Sequence, residues 1–185
     1  FESENERLQF IEKQIDDLSE AKKTLRITID EINQIAEKTF IDTFNKIRLN
    51  FQNLFKKLFD EEAETDIFFD ATNPLESEIN ITAKPPNKKP NSIEQLSGGE
   101  KTLTAIALLF AIYLVKPSPF CILDEIDAPL DDANVYRFLN IIREFSKETQ
   151  FLIVTHNKTT MSAADTLYGV TMQEPGVSKT ASVRL

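Results

Sequence analysis

What this sequence lacks sets its limits. No glycine-rich loop ending in Gly-Lys-Ser or Gly-Lys-Thr occurs in its 185 residues, so the usual cradle for nucleotide phosphates is missing. There is one cysteine, Cys121, and one histidine, His156, which leaves no disulfide pair and no His/Cys set for zinc. No Gly-x-Ser-x-Gly elbow is present, which argues against a serine-type triad. No apolar run approaches the ~20 residues of a membrane span, so a soluble protein is expected. The opening Phe1-Glu2-Ser3-Glu4 has neither the basic nor the apolar region of a secretory signal and reads as a cut from a longer chain.

Positive charge is also scarce. Lys and Arg total 21 against 30 Asp and Glu, a net charge of −9, which excludes the chain as a whole as a phosphate-neutralising clamp on nucleic acid. Any DNA contact must be local. The one notable basic cluster, Lys84, Lys88 and Lys89, is interleaved with Pro85, Pro86 and Pro90 and reads as a solvated loop rather than as a nucleic-acid patch. Cys121 lies within an apolar run, as a buried, inert thiol would, and a reducing cytosol is compatible with it.

What is present begins with a periodic pattern. Leu8, Ile11, Ile15, Leu18, Leu25, Ile29, Ile32 and Ala36 recur at spacings of three and four, with Lys22 on the seam and no Gly or Pro in the stretch. This predicts a coiled-coil helix whose partner strand is not in the chain, or a single amphipathic helix on a globular body. From Phe40 the pattern turns aromatic: Phe40, Phe44, Ile47, Phe51, Leu54, Phe55, Leu58 and Phe59 give a broader apolar face that suits a core. Unbroken, Leu8 to Phe59 would extend about 80 Å, so its start is expected to project outward. The expected domains are therefore 1–40, an arm segment, and 41–185, a globular lobe.

Short strands are predicted over Ile67–Phe69 and Glu78–Thr82 around the turn Asn73-Pro74, followed by a loop from Lys84 to Asn91. A helix from Glu100 to Val115 should end before Pro117 and Pro119. A buried strand Phe120–Leu123, a helix Ala133–Ser146 and a strand Phe151–Val154 form a βαβ pattern on a parallel sheet, and Thr166–Thr171 and Ser178–Val183, turning at Pro175-Gly176, finish the sheet edge. The fold class is α/β with a helical arm.

Three places carry chemistry. Ser97-Gly98-Gly99 precedes a strong helix, whose unpaired N–H groups and dipole favour an anion; the same residues also suit a plain Ser cap after a turn. Strand Phe120–Leu123 stops at Asp124 and Glu125, where open α/β sheets place ligands. Asp124 suits Mg²⁺ and Glu125 suits the water that attacks a γ-phosphate, although a solvated acidic turn has the same composition. His156 follows Phe151–Thr155 at the end of a second buried run, placed to meet a phosphate. Taken in order, these read as half of an ATPase site.

With these residues in hand, the sequence resembles the C-terminal head lobe of bacterial structural maintenance of chromosomes (Smc) proteins, within the ATP-binding cassette superfamily. The resemblance covers Lys84-Pro85-Pro86, Leu96 to Lys101, Phe120 to Asn134, Thr155 to Lys158 and Gly169 to Gly176, and the run Leu123 to Asn134 is its most specific part. It implies that Ser97, Gly98, Gly99 and Glu100 form a signature motif touching ATP on an opposite head. It also implies that Asp124 and Glu125 are the Walker B pair, that Leu130 and Asp131 belong to a D-loop, and that His156 is the switch histidine.

The same resemblance implies ATP and Mg²⁺ as ligands and an N-terminal head lobe that supplies the phosphate loop. It further implies an ATP-dependent homodimer of heads, a kleisin subunit bound through its C-terminal winged-helix domain, and DNA bound by the complete complex. The expected location is cytoplasmic and nucleoid-associated, with no membrane. The expected function is the C-terminal half of a chromosome-organising ATPase head, inactive alone. A coiled-coil DNA-repair ATPase head and a non-catalytic kleisin-docking lobe are the alternatives.

Overall fold

The structure is a computed structural model and describes residues 2–86, 91–174 and 176–184. Lys88, Lys89, Pro90 and Pro175, named above, lie outside the described residues. Contacts divide the chain into two compact units, 1–44 with 70–78 and 45–69 with 79–185.

Helix α1 runs unbroken over Glu2–Leu58, 57 residues or about 85 Å at 1.5 Å per residue. Its sequence contains no helix breaker, and Lys56 and Lys57 in the last turn complement the dipole's negative end. In the first unit its seam residues are exposed, Leu18 at 68% and Ile32 at 59%, while residues 70–78 form a turn in which Ser77 Oγ donates to the carbonyls of Asp70 and Asn73.

In the second unit the phenylalanines of α1 meet a core. Phe51, Phe55 and Leu58 are fully buried, and Phe55 stacks on Phe59 with ring centroids 4.3 Å apart. Fully burying each such side chain stabilises the fold by about 1.5–3 kcal/mol. Helix α2 (Gly98–Tyr113) contributes Leu103, Ile106, Ala107, Phe110 and Ala111, and α3 (Asp132–Phe145) contributes Val135, Phe138, Leu139 and Ile142. Polar bonds fix the joints between elements. Asn50 Nδ2 donates to the Ala111 carbonyl (3.2 Å), near the α2 C-terminus where backbone donors run out, and Arg137 Nη1 donates to the Leu58 carbonyl (3.2 Å) at the end of α1. Arg48 binds Asp66 with both arms of its guanidinium, and Gln52 adds a third bond.

Strands form three small sheets among the described residues. Strands β1 (Glu64–Phe68) and β2 (Asn80–Lys84) pair antiparallel, and β3 (Asn91–Ser92) joins β2. Each of the first two is displaced from its expected span, and Lys84, expected in a loop, sits in β2 opposite Glu64 with a 3.2 Å ion pair. Cross-strand pairing extended the strand past the point where the proline-rich composition suggested an end.

Strands β4 (Phe120–Asp124) and β5 (Gln150–Val154) pair in parallel around the α3 crossover, as the βαβ pattern predicts. They are not buried on both faces. Leu123 is buried and Phe151 meets the Phe110 ring at 6.2 Å, but Ile122 and Val154 are 63% and 55% exposed. Cys121 is half-buried, and desolvation pushes its thiol pKa up. A short helix α4 (Lys158–Ser162) follows, and β6 (Thr166–Glu174) and β7 (Val177–Arg184) pair with each other in a separate antiparallel hairpin rather than at the β4–β5 edge. Local alternation marked these as strands but carries no information about which sheet they join. Gly176, at φ 84°, supplies the left-handed residue of their turn.

Candidate functional site

The parallel pairing of β4 and β5 places Asp124 opposite Val154, so the residues just beyond both strands emerge at one sheet edge. The Glu125 N–H continues the ladder by donating to the Val154 carbonyl (2.9 Å). Glu125 then turns sharply, at φ 48°, the only positive φ of a non-glycine residue among those described. A bulky residue in this left-handed region stores about 1–2 kcal/mol of strain, and such outliers cluster at functional sites.

The turn brings Glu125 Oε1 to 3.8 Å from His156 Nδ1, with the two side chains 62% and 72% exposed. That separation is too long for a hydrogen bond and suits two polar groups converging on a common target in solvent. Asp124 ends β4 and is exposed. Among the described residues no group of three or more His, Cys, Asp or Glu side chains is arranged to hold a metal by itself.

A second cluster forms around the start of α2. Ser97 is its N-cap: Ser97 Oγ accepts from the Glu100 N–H (3.4 Å), and the Glu100 carboxylate accepts from the Ser97 N–H (2.9 Å), a reciprocal capping box. The plain capping role is therefore occupied. The Gly98 and Gly99 N–H groups are the helix's first and have no intrahelical carbonyl to receive them. A Cβ on Gly98 would meet nothing within 4 Å, whereas one on Gly99 would lie 3.5 Å from Asn134 Nδ2 and 3.8 Å from the Pro129 carbonyl. The structure thus sets the Ser97–Glu100 turn beside the Pro129–Asn134 segment. Within that segment Leu130 is buried and Asp131 is exposed, where it caps α3 by accepting from the Asn134 N–H (2.9 Å). Expected site residues therefore fall into two groups, Asp124, Glu125 and His156 in one, and Ser97 to Glu100 with Leu130 and Asp131 in the other.

Sequence reasoning missed one residue of the first group. Asp127 is buried, 1% exposed, and its Oδ2 accepts from Thr155 Oγ1 (2.7 Å) and from Thr160 Oγ1. It thereby joins the turn after β4 to the loop that carries His156. A signal was available, since an acid two residues beyond an acid pair and a Thr on either side of the lone His are legible in the sequence, but their pairing is tertiary.

The chain matches a family model described as RecF/RecN/SMC N terminal domain over residues 4–179. It is 58% identical over 187 residues to the chromosome partition protein Smc of Chlorobaculum tepidum, a match that spans all of this chain and 16% of that protein. Among solved structures, the Pyrococcus furiosus Smc head domain with an extended coiled coil, bound to the C-terminal domain of ScpA, is 39% identical with a TM-score of 0.78, over 100% of this chain and 46% of that one. A structure from work on ATP-driven dimerization and DNA stimulated activation of SMC ATPases is 44% identical with a TM-score of 0.73, over 80% of this chain and 89% of that one.

These findings correct one expectation. The matched family model is described as an N terminal domain, so the assignment of the chain as the C-terminal half of a head is withdrawn, and neither the DNA-repair head nor the non-catalytic docking lobe gains support. Motif order reports which chemical groups a chain carries, not its place in a longer polypeptide. The mixed α/β fold matches that of Smc head structures, and the chain belongs to the RecF/RecN/SMC N-terminal domain family.

Proposed function

We propose that this chain is part of the ATPase head of a chromosome-organising Smc protein and that Glu125 and His156 act on the γ-phosphate end of a bound ATP. The observation that carries this reading is the strained Glu125, held 3.8 Å from the chain's only histidine at the ends of two parallel strands. Phosphoryl transfer requires mainly positioning and charge stabilisation. Glu125 orients the attacking water and takes its proton, and His156 contacts the γ-phosphate and reports its presence. Mg²⁺ generally binds through one or two carboxylates plus phosphates and waters, which fits a lone exposed Asp124. When bound, it would neutralise charge developing on the phosphates.

The start of α2 serves a second nucleotide. The Gly98 and Gly99 N–H groups face an anion at the positive end of the helix dipole, and the open space at Gly98 leaves room for a phosphate to approach. Ser97 adds its hydroxyl hydrogen, while Glu100 holds the cap and Leu130 and Asp131 lie beside it at the contact between heads. In this reading two heads form an ATP-dependent homodimer.

The sequence contains no Gly-Lys-Ser/Thr loop, so another segment supplies the grip on the triphosphate and the chain alone does not turn over. Residues 1–40 form a coiled-coil arm with a helix from outside the chain, and 41–185 form part of the head. A kleisin subunit binding through its winged-helix domain, DNA held by the complete complex and a nucleoid location follow from the same reading. Among the described residues no helix is long and apolar enough to cross a membrane.

The test uses the full-length protein. Glu125→Gln is expected to lower ATP turnover at least 100-fold while ATP-bound dimers accumulate on gel filtration, and Ser97→Arg to abolish dimers while ATP still binds. Normal turnover in Glu125→Gln, or robust turnover by the 185 residues alone, rejects the proposal.

A further inference from the structure

Glu125 and His156 are both largely exposed and sit on different loops, so nothing in their own side chains holds them 3.8 Å apart. What holds the loops is internal. Two residues after Glu125, the Asp127 side chain turns inward and is buried. Its Oδ2 accepts hydrogen bonds from the hydroxyls of Thr155, the residue before His156, and of Thr160 in α4. Thr155 Oγ1 in turn accepts from the Asn157 N–H (2.9 Å), the residue after His156. Asn157 Oδ1 caps α4 by accepting from the Thr159 N–H (2.8 Å).

The backbone on both sides of His156 is thus tied, through one hydroxyl, to one buried carboxylate oxygen. On the other loop, the Asp127 carbonyl accepts from the Leu130 N–H (3.1 Å) and the Glu125 carbonyl from the Ala128 N–H (3.2 Å), so the turn that displays Glu125 is closed around the same residue. A buried carboxylate is costly unless its acceptor sites are filled, and here the donors come from the loop whose position matters.

We propose that Asp127 is a positioning residue for the ATPase reaction: it clasps the Glu125 turn to the His156 loop and fixes the spacing of the two groups that face the γ-phosphate. The inference rests on the function proposed above. Asp127 touches neither nucleotide nor water; it acts through Thr155 and Thr160. Loss of the clasp therefore slows the chemical step more than it weakens ATP binding, because misplacing reacting groups by about 1 Å costs on the order of 100-fold in rate.

The experiment is steady-state ATP hydrolysis by the full-length protein carrying Asp127→Ala, Thr155→Val with Thr160→Val, or Thr155→Ser with Thr160→Ser, alongside Glu125→Gln. The valine pair keeps side-chain volume and so remains informative if Asp127→Ala does not fold. Expected results are a kcat at least tenfold lower for the valine pair, a KM for ATP changed less than twofold, and recovery of turnover in the serine pair, which restores both hydroxyls. If Glu125→Gln abolishes turnover while the valine pair keeps wild-type kcat, or if the serine pair falls as far as the valine pair, the clasp is overturned and the ATPase reading stands. Turnover undiminished in Glu125→Gln overturns both.

Discussion

Helix α1 holds two stretches of similar apolar periodicity that meet opposite fates. Leu8, Ile11, Ile15, Leu18, Leu25, Ile29 and Ile32 remain 43–68% exposed, whereas Phe51, Leu54, Phe55, Leu58 and Phe59 are 0–7% exposed. Periodicity alone does not bury a side chain; a partner does. The aromatic stretch finds α2 and α3 within the chain, where the face spans more than a seam and is fixed by Asn50 and Arg137 bonds to helix-end carbonyls. The narrow seam has the width that a second helix matches, and among the described residues no helix covers it. Strands β4 and β5 repeat the contrast across one pair of strands, with Leu123 buried and Ile122 exposed.

The sharpest way to break this comparison is at its buried end. Phe55→Ala should destabilise the chain by about 3–5 kcal/mol in urea unfolding followed by circular dichroism, because it empties a buried site between the edge-on Phe51 and the stacked Phe59. A loss under 1 kcal/mol would mean that the aromatic face is not core.

The next effect concerns the clamp that fastens α1 to β1. Hydrogen bonding by Arg48, with a smaller charge contribution, outweighs desolvation and holds the Asp66 pKa below the usual carboxylate value. A depressed folded pKa stabilises the protein above the unfolded value of about 4, and that contribution disappears as pH falls through the folded value. Asp66→Asn should therefore cost about 0.5–1 kcal/mol at pH 7, the range for a partly exposed pair of good geometry, and the gap from wild type should close at acid pH. A gap that stays constant with pH would assign the cost to packing.

The smallest effect sharpens the exposed side. Leu18→Ala should shift the stability of this chain by no more than about 0.5 kcal/mol, since the side chain is 68% exposed and outside any core. A loss of 2 kcal/mol or more would show that the seam is already packed.

Much of the site was legible before the fold. The spacing of Asp124-Glu125 after an apolar strand and of His156 after another placed both at strand ends, and parallel pairing delivered them to one edge. The Ser97 cap was legible in both its readings, and the capping box with Glu100 realises one of them without consuming the Gly98 and Gly99 amides. Asp127 was not legible as anything but one acid in an acidic run, since its importance lies in two hydroxyls that are 28 and 33 residues away.

By itself the sequence determined the elements and the chemistry at their ends: helices where apolar residues recur every three or four positions without Gly or Pro, strands in short apolar runs, and acids or histidine where those runs stop. These are local properties, set by backbone geometry and neighbouring side chains. Only the tertiary structure decided that β6 and β7 form their own hairpin, that one face of β4–β5 stays open, that Glu125 adopts a left-handed turn, and that Asp127 is buried beneath it. Each of those depends on which distant groups share space, and hydrogen-bond satisfaction and burial are settled between segments, not within them.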